Sequence, residues 1–577
     1  MIFTTQRFML LIIAPFLIAM AAACGQEEPE GPETTSSYDI VIYGGTSAGV
    51  AAAIQSSRMD KSVVLIEPGQ RIGGLTTGGL GATDIGNKFA IGGIAREFYE
   101  NIHSYYENPS HWHGQSREEY LGDQQGRTDE GEKAMWTFEP SAALQVYKEM
   151  MAAEEIDLAR GERLQREGGV QKKDGTISRI TMESGRTFEG KVFLDATYEG
   201  DLMAAAGVSY EVGRESSDTY DESLNGVQLY PEGLPDDIDS VKVDYFSRVP
   251  RNRHQFPDGV DPYREKGNPD SGLLWGISSD TLASNGTGDE KVQAYNFRLT
   301  LTDDPDNRIP ITRPADYDST RYELLARLFE AQPEHRDIND YFIWTRMPNR
   351  KTDVNNRGGF STDMIGRNHQ YPEASYEQRR EIIQVHENYT KGLLYFYKTD
   401  PRVPEQLQSF IADWGYPKDE FLKNDHFTPQ LYVREARRME GEYVMTQSNV
   451  TGTEVVPDSI GMAAYGMDSH HIQRIITGGM VKNEGDIQVH GYPPYPISYR
   501  SLTPKADQAS NLLVPVALSA SHIAFGSIRM EPVFMVLGQS AATAAAIAVE
   551  DQVAVQQVDY SRLRRQLQKD GQVLEHE

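Results

Sequence analysis

The sequence predicts an α/β fold: a parallel sheet wound with helices, begun near the N-terminus, interrupted by a long insertion and completed at the C-terminus. Three observations carry that expectation. An apolar run over 40–43 breaks on Gly44 and Gly45 and passes into a small-residue helical pattern from Ser47 onward, as a buried strand, a tight turn and a helix start do. A second apolar run over 63–66 follows about twenty residues later and ends on Glu67, which is the spacing of a βαβ unit. Near the far end, a short apolar strand over 511–514 precedes a small-residue helix from about Val533 to Ala548.

Each part of the first unit has a physical job. Gly44 makes the turn, and Gly49 lets helix and strand pack closely. The backbone amides at Thr46, Ser47 and Ala48 open the helix, where unpaired N–H groups and the dipole favour a pyrophosphate. Glu67 stands where a dinucleotide site needs a carboxylate for a ribose hydroxyl. One position departs from the common fingerprint: its central glycine is Thr46 here, with Gly45 just before it. The loop over 71–79 then brings Arg71, Gly73, Gly74 and Thr77 directly after the acidic strand end. A loop so rich in glycine lets backbone lie along a long cofactor; a nicotinamide site needs none at this point.

On these residues the chain resembles the FAD-dependent oxidoreductases of the glutathione-reductase-like structural class. More narrowly, it resembles a bacterial family described simply as FAD-dependent oxidoreductase, or in some genomes as xanthan-lyase-like. The likeness extends through 301–305, the 355–363 loop and the segment around Tyr432. It implies a discontinuous Rossmann-like FAD-binding domain with an inserted α+β substrate or cap domain. It also implies noncovalent FAD, since the glycine loop offers neither histidine nor cysteine for a flavin link. Residues 195–201, Asp-Ala-Thr-Tyr-Glu-Gly-Asp, close a strand and resemble the family's return to the cofactor, which brings Ala196 to it. The last helix, carrying Gly538, is implied to aim its N-terminus at the flavin.

The N-terminus reads as an export signal: Arg7, an apolar run over 8–20, three alanines, then Cys24. That cysteine is the only one in the chain, and its place resembles a lipobox whose thiol is acylated. The expected division is a signal peptide over 1–23, a lipidated Cys24 with a flexible tether over 24–37, and the first cofactor segment over 38–214. The substrate domain then covers 215–498, and the second cofactor segment with the C-terminal helix covers 499–577. The protein is expected outside the cytoplasm, periplasmic or at the cell surface, held to a membrane by its lipid alone. No later stretch reads as a membrane span.

Composition narrows the function further. A formal charge of −29 argues against nucleic acid or bare anionic lipid as a partner. Without cysteine beyond Cys24 there is no disulfide framework, thiolate metal site or cysteine nucleophile. His111-Trp112-His113 lacks partners at metal spacing, and no metal is expected. No second dinucleotide fingerprint appears, hence no NAD(P)H site, and the electron acceptor stays open.

Residues 293–301 alternate at period two and read as a strand, whereas 430–439 read as a helix with Tyr432, Glu435 and Met439 on one face. Arg434, Arg437 and Arg438 there could orient a substrate. His522 and Arg529 read as a loop leading into the last helix, with His522 taking a hydroxyl proton as hydride leaves for the flavin. The expected function is oxidation of a small molecule or oligosaccharide, a carbohydrate or related polyhydroxy compound. A flavin-containing lyase or isomerase and a glycan-binding lipoprotein are the alternatives.

Overall fold

Strand β1 (Thr35–Tyr43), helix α1 (Ser47–Arg58) and strand β2 (Val63–Glu67) form the expected unit, with β1 and β2 parallel. The computed structural model describes residues 35–123, 128–129, 131–229 and 254–576. The leader and Cys24 lie outside the described residues. Thr35, Ser36 and Ser37, expected in the tether, extend β1 and pair with Thr187, Phe188 and Glu189.

Beyond β2 lies the parallel strand β3 (Asp157–Arg160), and on the other side of β1 lies β6 (Thr187–Asp195), also parallel. Strands β4 (Val170–Lys173) and β5 (Thr176–Thr181) form an antiparallel hairpin before β6, giving the order β3-β2-β1-β6-β5-β4. Thr187 to Glu189 of β6 pair with β5. Phe193 and Leu194, farther along the same strand, pair in parallel with Leu512–Leu513 instead. The chain's last segment thus completes the sheet begun at its start.

The sheet is buried on both faces, which is why its strands read as unbroken apolar runs. Ile40, Ile42, Val63, Leu65, Val192 and Leu194 point to the side covered by α1 and helix Glu531–Asp551. Val41, Tyr43, Val64, Ile66, Phe188 and Phe193 point to the other. Helix Glu531–Asp551 is long and apolar enough to cross a membrane by length and composition. Its residues from Glu531 to Ala548 are buried against α1 and the sheet, so it is the core helix of this domain.

A second core surrounds a five-stranded antiparallel sheet whose centre is Leu299–Thr302 beside Lys351–Asn356. The long helix Tyr376–Thr399 packs on it, started by a capping box from Ser375 and Gln378. The division expected at 498 does not coincide with the cores. Ile460, Met467, Ile487, Tyr495 and Ile497 belong to the first core, and of the strands over 459–498 only Val481 reaches the second. Residues 430–439 are not a helix. Tyr432 bridges to Asn296, and Arg437–Met439 is a strand paired with Tyr210–Val212.

Candidate active site

The turn after β1 is built for close approach. Gly44 has a φ of 107°, and a Cβ there would lie 2.6 Å from the Ala196 carbonyl carbon and the Thr197 nitrogen. A Cβ on Gly49 would fall 1.9 Å from the Gly44 carbonyl oxygen, so α1 can meet the turn only with glycine at that position. Thr46, in place of the usual glycine, is the N-cap of α1. Its hydroxyl donates to the Ala196 carbonyl at 2.7 Å and accepts from the Gly49 N–H at 3.3 Å. The threonine side chain is therefore engaged within the protein and its carbonyl accepts from the Val50 amide, leaving its own amide for a cofactor. The first amides of the helix, on Ser47 and Ala48, have no intrahelical carbonyl. Glu67 accepts from the amides of Gly45 (2.8 Å) and Gly69 (2.5 Å), and burial pushes its pKa up to about 7.

The glycine loop folds back on this turn. Gly73 and Gly74 have φ of 91° and 51°, and the Gly73 amide donates to the Gly45 carbonyl at 2.6 Å. Arg71 donates through Nε to the Thr77 carbonyl at 2.8 Å and lies over the Phe421 ring, while the Thr77 hydroxyl donates to the Ile72 carbonyl. These two side chains hold the shape of the loop. The Glu531 carboxylate, at the start of the core helix, accepts from Ser47 Oγ (2.5 Å), Thr76 Oγ1 (2.8 Å) and the Tyr198 hydroxyl (2.7 Å). It gathers α1, the glycine loop and the segment after β6 around one carboxyl group. Gly538 has a different role from the cofactor contact expected of it. A Cβ there would lie 2.1 Å from the Ala48 carbonyl oxygen, so it lets two helices cross.

These features fit FAD. The α1 amides and the Gly44–Gly45 turn suit its pyrophosphate, Glu67 suits a ribose hydroxyl, and the 73–79 loop with the start of helix Glu531–Asp551 suits the flavin half. Bound there, FAD supplies a two-electron acceptor.

Beside the loop, Tyr432 packs with Leu75 and Leu80 and belongs to a closed ring of six polar side chains. Arg529 donates to the Tyr432 hydroxyl at 2.7 Å, and both Arg529 and Arg434 lie against the Tyr432 ring, at 5.6 and 4.7 Å. Arg434 pairs with Asp363 at 3.0 Å, and Asp363 meets His470 Nδ1 at 2.8 Å. His470 Nε2 lies 3.7 Å from Asp468, which returns to Arg529 through its carbonyl at 2.9 Å and its carboxylate at 3.7 Å. Burial first, then the Arg434 guanidinium, holds the His470 pKa well below the usual imidazole range, so the ring is neutral at neutral pH. Among the described residues, Nε of Arg434, Nε of Arg529, Oδ1 of Asp468 and Nε2 of adjacent His471 are buried without hydrogen-bond partners. Groups of this kind call for a polar partner, an ordered water or a ligand.

His522 does not stand free at the cofactor as expected. It opens helix His522–Ile528, and Arg529 is that helix's C-cap. Its Nδ1 lies 2.8 Å from Glu435 and its Nε2 3.0 Å from Ser469 Oγ. Both nitrogens are engaged and the side chain is buried, so His522 has no site for a substrate proton; it locks this helix to two neighbouring segments. Arg529 does reach the site. The three expected arginines separate: Arg434 faces the ring, Arg437 pairs with Asp201 and Glu373, and Arg438 pairs with Glu215 and Glu435.

Asp363, Asp468 and Glu531 were not identified from sequence, nor was Arg298, whose fork grips Asp353 at 2.9 Å and reaches Asp84 at 3.1 Å. Asp353 in turn accepts from the amides of Gly81 and Ala82, tying the second sheet to the loop beyond the cofactor glycines. His111 stacks on Tyr105, and Trp112 donates to the Tyr106 carbonyl, so that triplet is structural.

No curated protein matches the chain. Among solved structures, L-amino acid deaminase from Proteus vulgaris is 15% identical, over 32% of this chain and 54% of its own, with a TM-score of 0.23. Thioredoxin reductase from T. acidophilum is 18% identical over 28% and 34%, with a TM-score of 0.16. OxyS anhydrotetracycline hydroxylase from Streptomyces rimosus is 12% identical over 31% and 36%, with a TM-score of 0.21. The chain thus spans about a third to a half of these proteins, and none informs its substrate. The family model for FAD dependent oxidoreductase matches residues 39–567, nearly all the described chain, and the protein belongs to that family.

Proposed function

We propose that this oxidoreductase removes hydride from a carbinol carbon of a carbohydrate or related polyhydroxy compound and delivers it to bound FAD. We propose also that it acts outside the cytoplasm, anchored through an acylated Cys24. The observation that supports the substrate class is the six-membered ring of Tyr432, Arg434, Asp363, His470, Asp468 and Arg529. Two guanidinium donors flank Tyr432 there and two carboxylate acceptors flank His470, so no surplus positive charge calls for an anion. A lining that holds both donors and acceptors suits hydroxyls, each of which both donates and accepts.

The test is anaerobic mixing of the purified holoenzyme with D-glucose, D-mannose, D-galactose and D-glucuronate, followed by flavin absorbance. Bleaching by at least one sugar, with formation of a carbonyl product, is expected. Conversion without bleaching would replace oxidation by a lyase or isomerase reaction, and binding without conversion would leave a glycan-binding protein. Fractionation of the native host checks the anchor: wild type should sediment with membranes and Cys24→Ser should not, and a soluble wild type would end that proposal.

A further inference from the structure

We propose that His470, oriented by Asp363, is the base that receives the substrate's hydroxyl proton, with the substrate lying inside the ring closed by Tyr432, Arg434, Asp468 and Arg529. This rests on the reading above that an alcohol carbon is oxidised. The geometry assigns the two nitrogens of His470 different work. Nδ1 lies 2.8 Å from Asp363 Oδ2, and a carboxylate can only accept, so Nδ1 carries the proton of the neutral imidazole. The lone pair is then on Nε2. Asp468 Oδ1 lies 3.7 Å from it, and that oxygen is itself without a hydrogen bond. Neither acceptor can satisfy the other, and a donor seated beside the pair, such as a substrate hydroxyl, would reach the lone pair on Nε2.

Arg529 and Arg434, whose Nε atoms are buried and without partners, both lie against Tyr432. They are placed to hold the oxygen on which negative charge gathers as its proton leaves. In the step itself the O–H bond breaks toward His470 Nε2. The C–H bond breaks with its electron pair, which goes as hydride to oxidised FAD, and a C=O bond forms. The substrate is oxidised by two electrons and the flavin is reduced by two. Asp363 keeps its charge throughout and acts as a positioning residue.

The groups facing His470 are Asp363, Arg434, Asp468, Arg529 and His254, together with the adjacent His471. Burial and the two guanidinium groups outweigh the carboxylates and keep the imidazole from protonating until well below its ordinary range. The rate of flavin reduction should therefore stay level as pH falls through about 6.5, the ordinary imidazole value, and decline only at lower pH.

Two measurements test the assignment. The first is the 15N spectrum of histidine-labelled protein, with His470 identified by its loss in His470→Asn. It should show a neutral ring protonated at Nδ1 at pH 7, and Asp363→Asn should shift protons toward Nε2. A charged ring, or a proton on Nε2 in wild type, would overturn the proposal whatever the substrate. The second is stopped-flow reduction by whichever sugar of the panel bleaches the flavin. His470→Asn keeps an amide donor for Asp363 and offers nothing at the Nε2 position. It should retain FAD, judged by its absorbance spectrum, yet reduce roughly 10²–10⁴-fold more slowly. Reduction at the wild-type rate would overturn the proposal. If no sugar bleaches the flavin, the substrate reading falls by itself, and the spectrum still decides for or against His470.

Discussion

Glu531 shows how much one side chain can organise at this site. Its carboxylate is buried, and burial pushes its pKa upward against three hydroxyl donors, on Ser47, Tyr198 and Thr76, that favour the anion. Those donors come from α1, the segment after β6 and the glycine loop, so the carboxyl group is a knot between the pieces that frame the cofactor. Glu531→Gln keeps the shape and replaces one acceptor oxygen by a donor facing hydroxyl groups. Hydrogen bonds to a charged group are worth roughly 1.5–3 kcal/mol each, so the loss should be felt in stability and in cofactor affinity together. Titration calorimetry of apoprotein with FAD should show weaker binding, and the melting temperature should fall. Unchanged values for both would show that the carboxylate is already protonated and holds nothing. The glycines beside it were legible from sequence because each meets a local demand: Gly44 by its positive φ, Gly49 by its contact with the turn. Glu531, Asp363 and Asp468 were not, since their partners are remote in the chain. Arg298 offered one unread sign, a charge within an alternating apolar run, which implies a buried ion pair.

At the scale of elements, legibility follows exposure. The strands of the parallel sheet and the core helix were readable because their composition is extreme: β1 and β2 are apolar on both faces, and helix Glu531–Asp551 is rich in alanine. Residues 430–439 misled for the opposite reason. A helical period identifies a helix only when one face meets water. Here every residue from Leu431 to Met439 is buried, so spacing of apolar positions carries no information about the backbone. The charges in that segment are held by partners the sequence places far away: Asp363, Glu215 and Asp201. The same condition hid the helix at His522–Ile528, whose residues are all buried and whose N-cap is Ser521. Gly538 was visible as a small residue in a small-residue helix. What it meets, the carbonyl of Ala48, depends on a crossing that only the assembled fold defines.

Over the whole molecule, the question is what makes two hydrophobic cores act as one protein around a cofactor lodged beside both. Lys351 is central to it. It begins the strand Lys351–Asn356 of the second sheet, is fully buried, and reaches Glu139 at 2.6 Å, Asp419 at 2.8 Å and Glu420 at 3.1 Å. Glu139 directly precedes helix Pro140–Ala152 of the first core, and Ser141 of that helix donates to Glu420 at 2.6 Å. Burial opposes the lysine's charge, but the three carboxylates outweigh it and hold its pKa above the ordinary lysine range, so the ammonium persists at every physiological pH. Removing one member of a buried ion cluster leaves the others desolvated and unpaired, at a cost of about 3–5 kcal/mol. Lys351→Met should destabilise the protein by that order. Neutralising its two buried carboxylate partners by Glu139→Gln and Glu420→Gln in the same chain should recover much of the loss, since paired charges and their neutral replacements differ far less than an orphaned charge does. Urea unfolding followed by flavin release and by tryptophan fluorescence, in a Trp112→Phe, Trp136→Phe background, separates the cores, because Trp344 and Trp414 lie in the second and Trp136 in the first, with Trp112 packed against it. In Lys351→Met both signals should move to lower urea together. A shift in the tryptophan signal alone, with flavin release unchanged, would mean that the cluster stabilises only its own sheet and that the cores are joined elsewhere, with the Arg298–Asp353 clamp on Gly81 and Ala82 as the next pair to break.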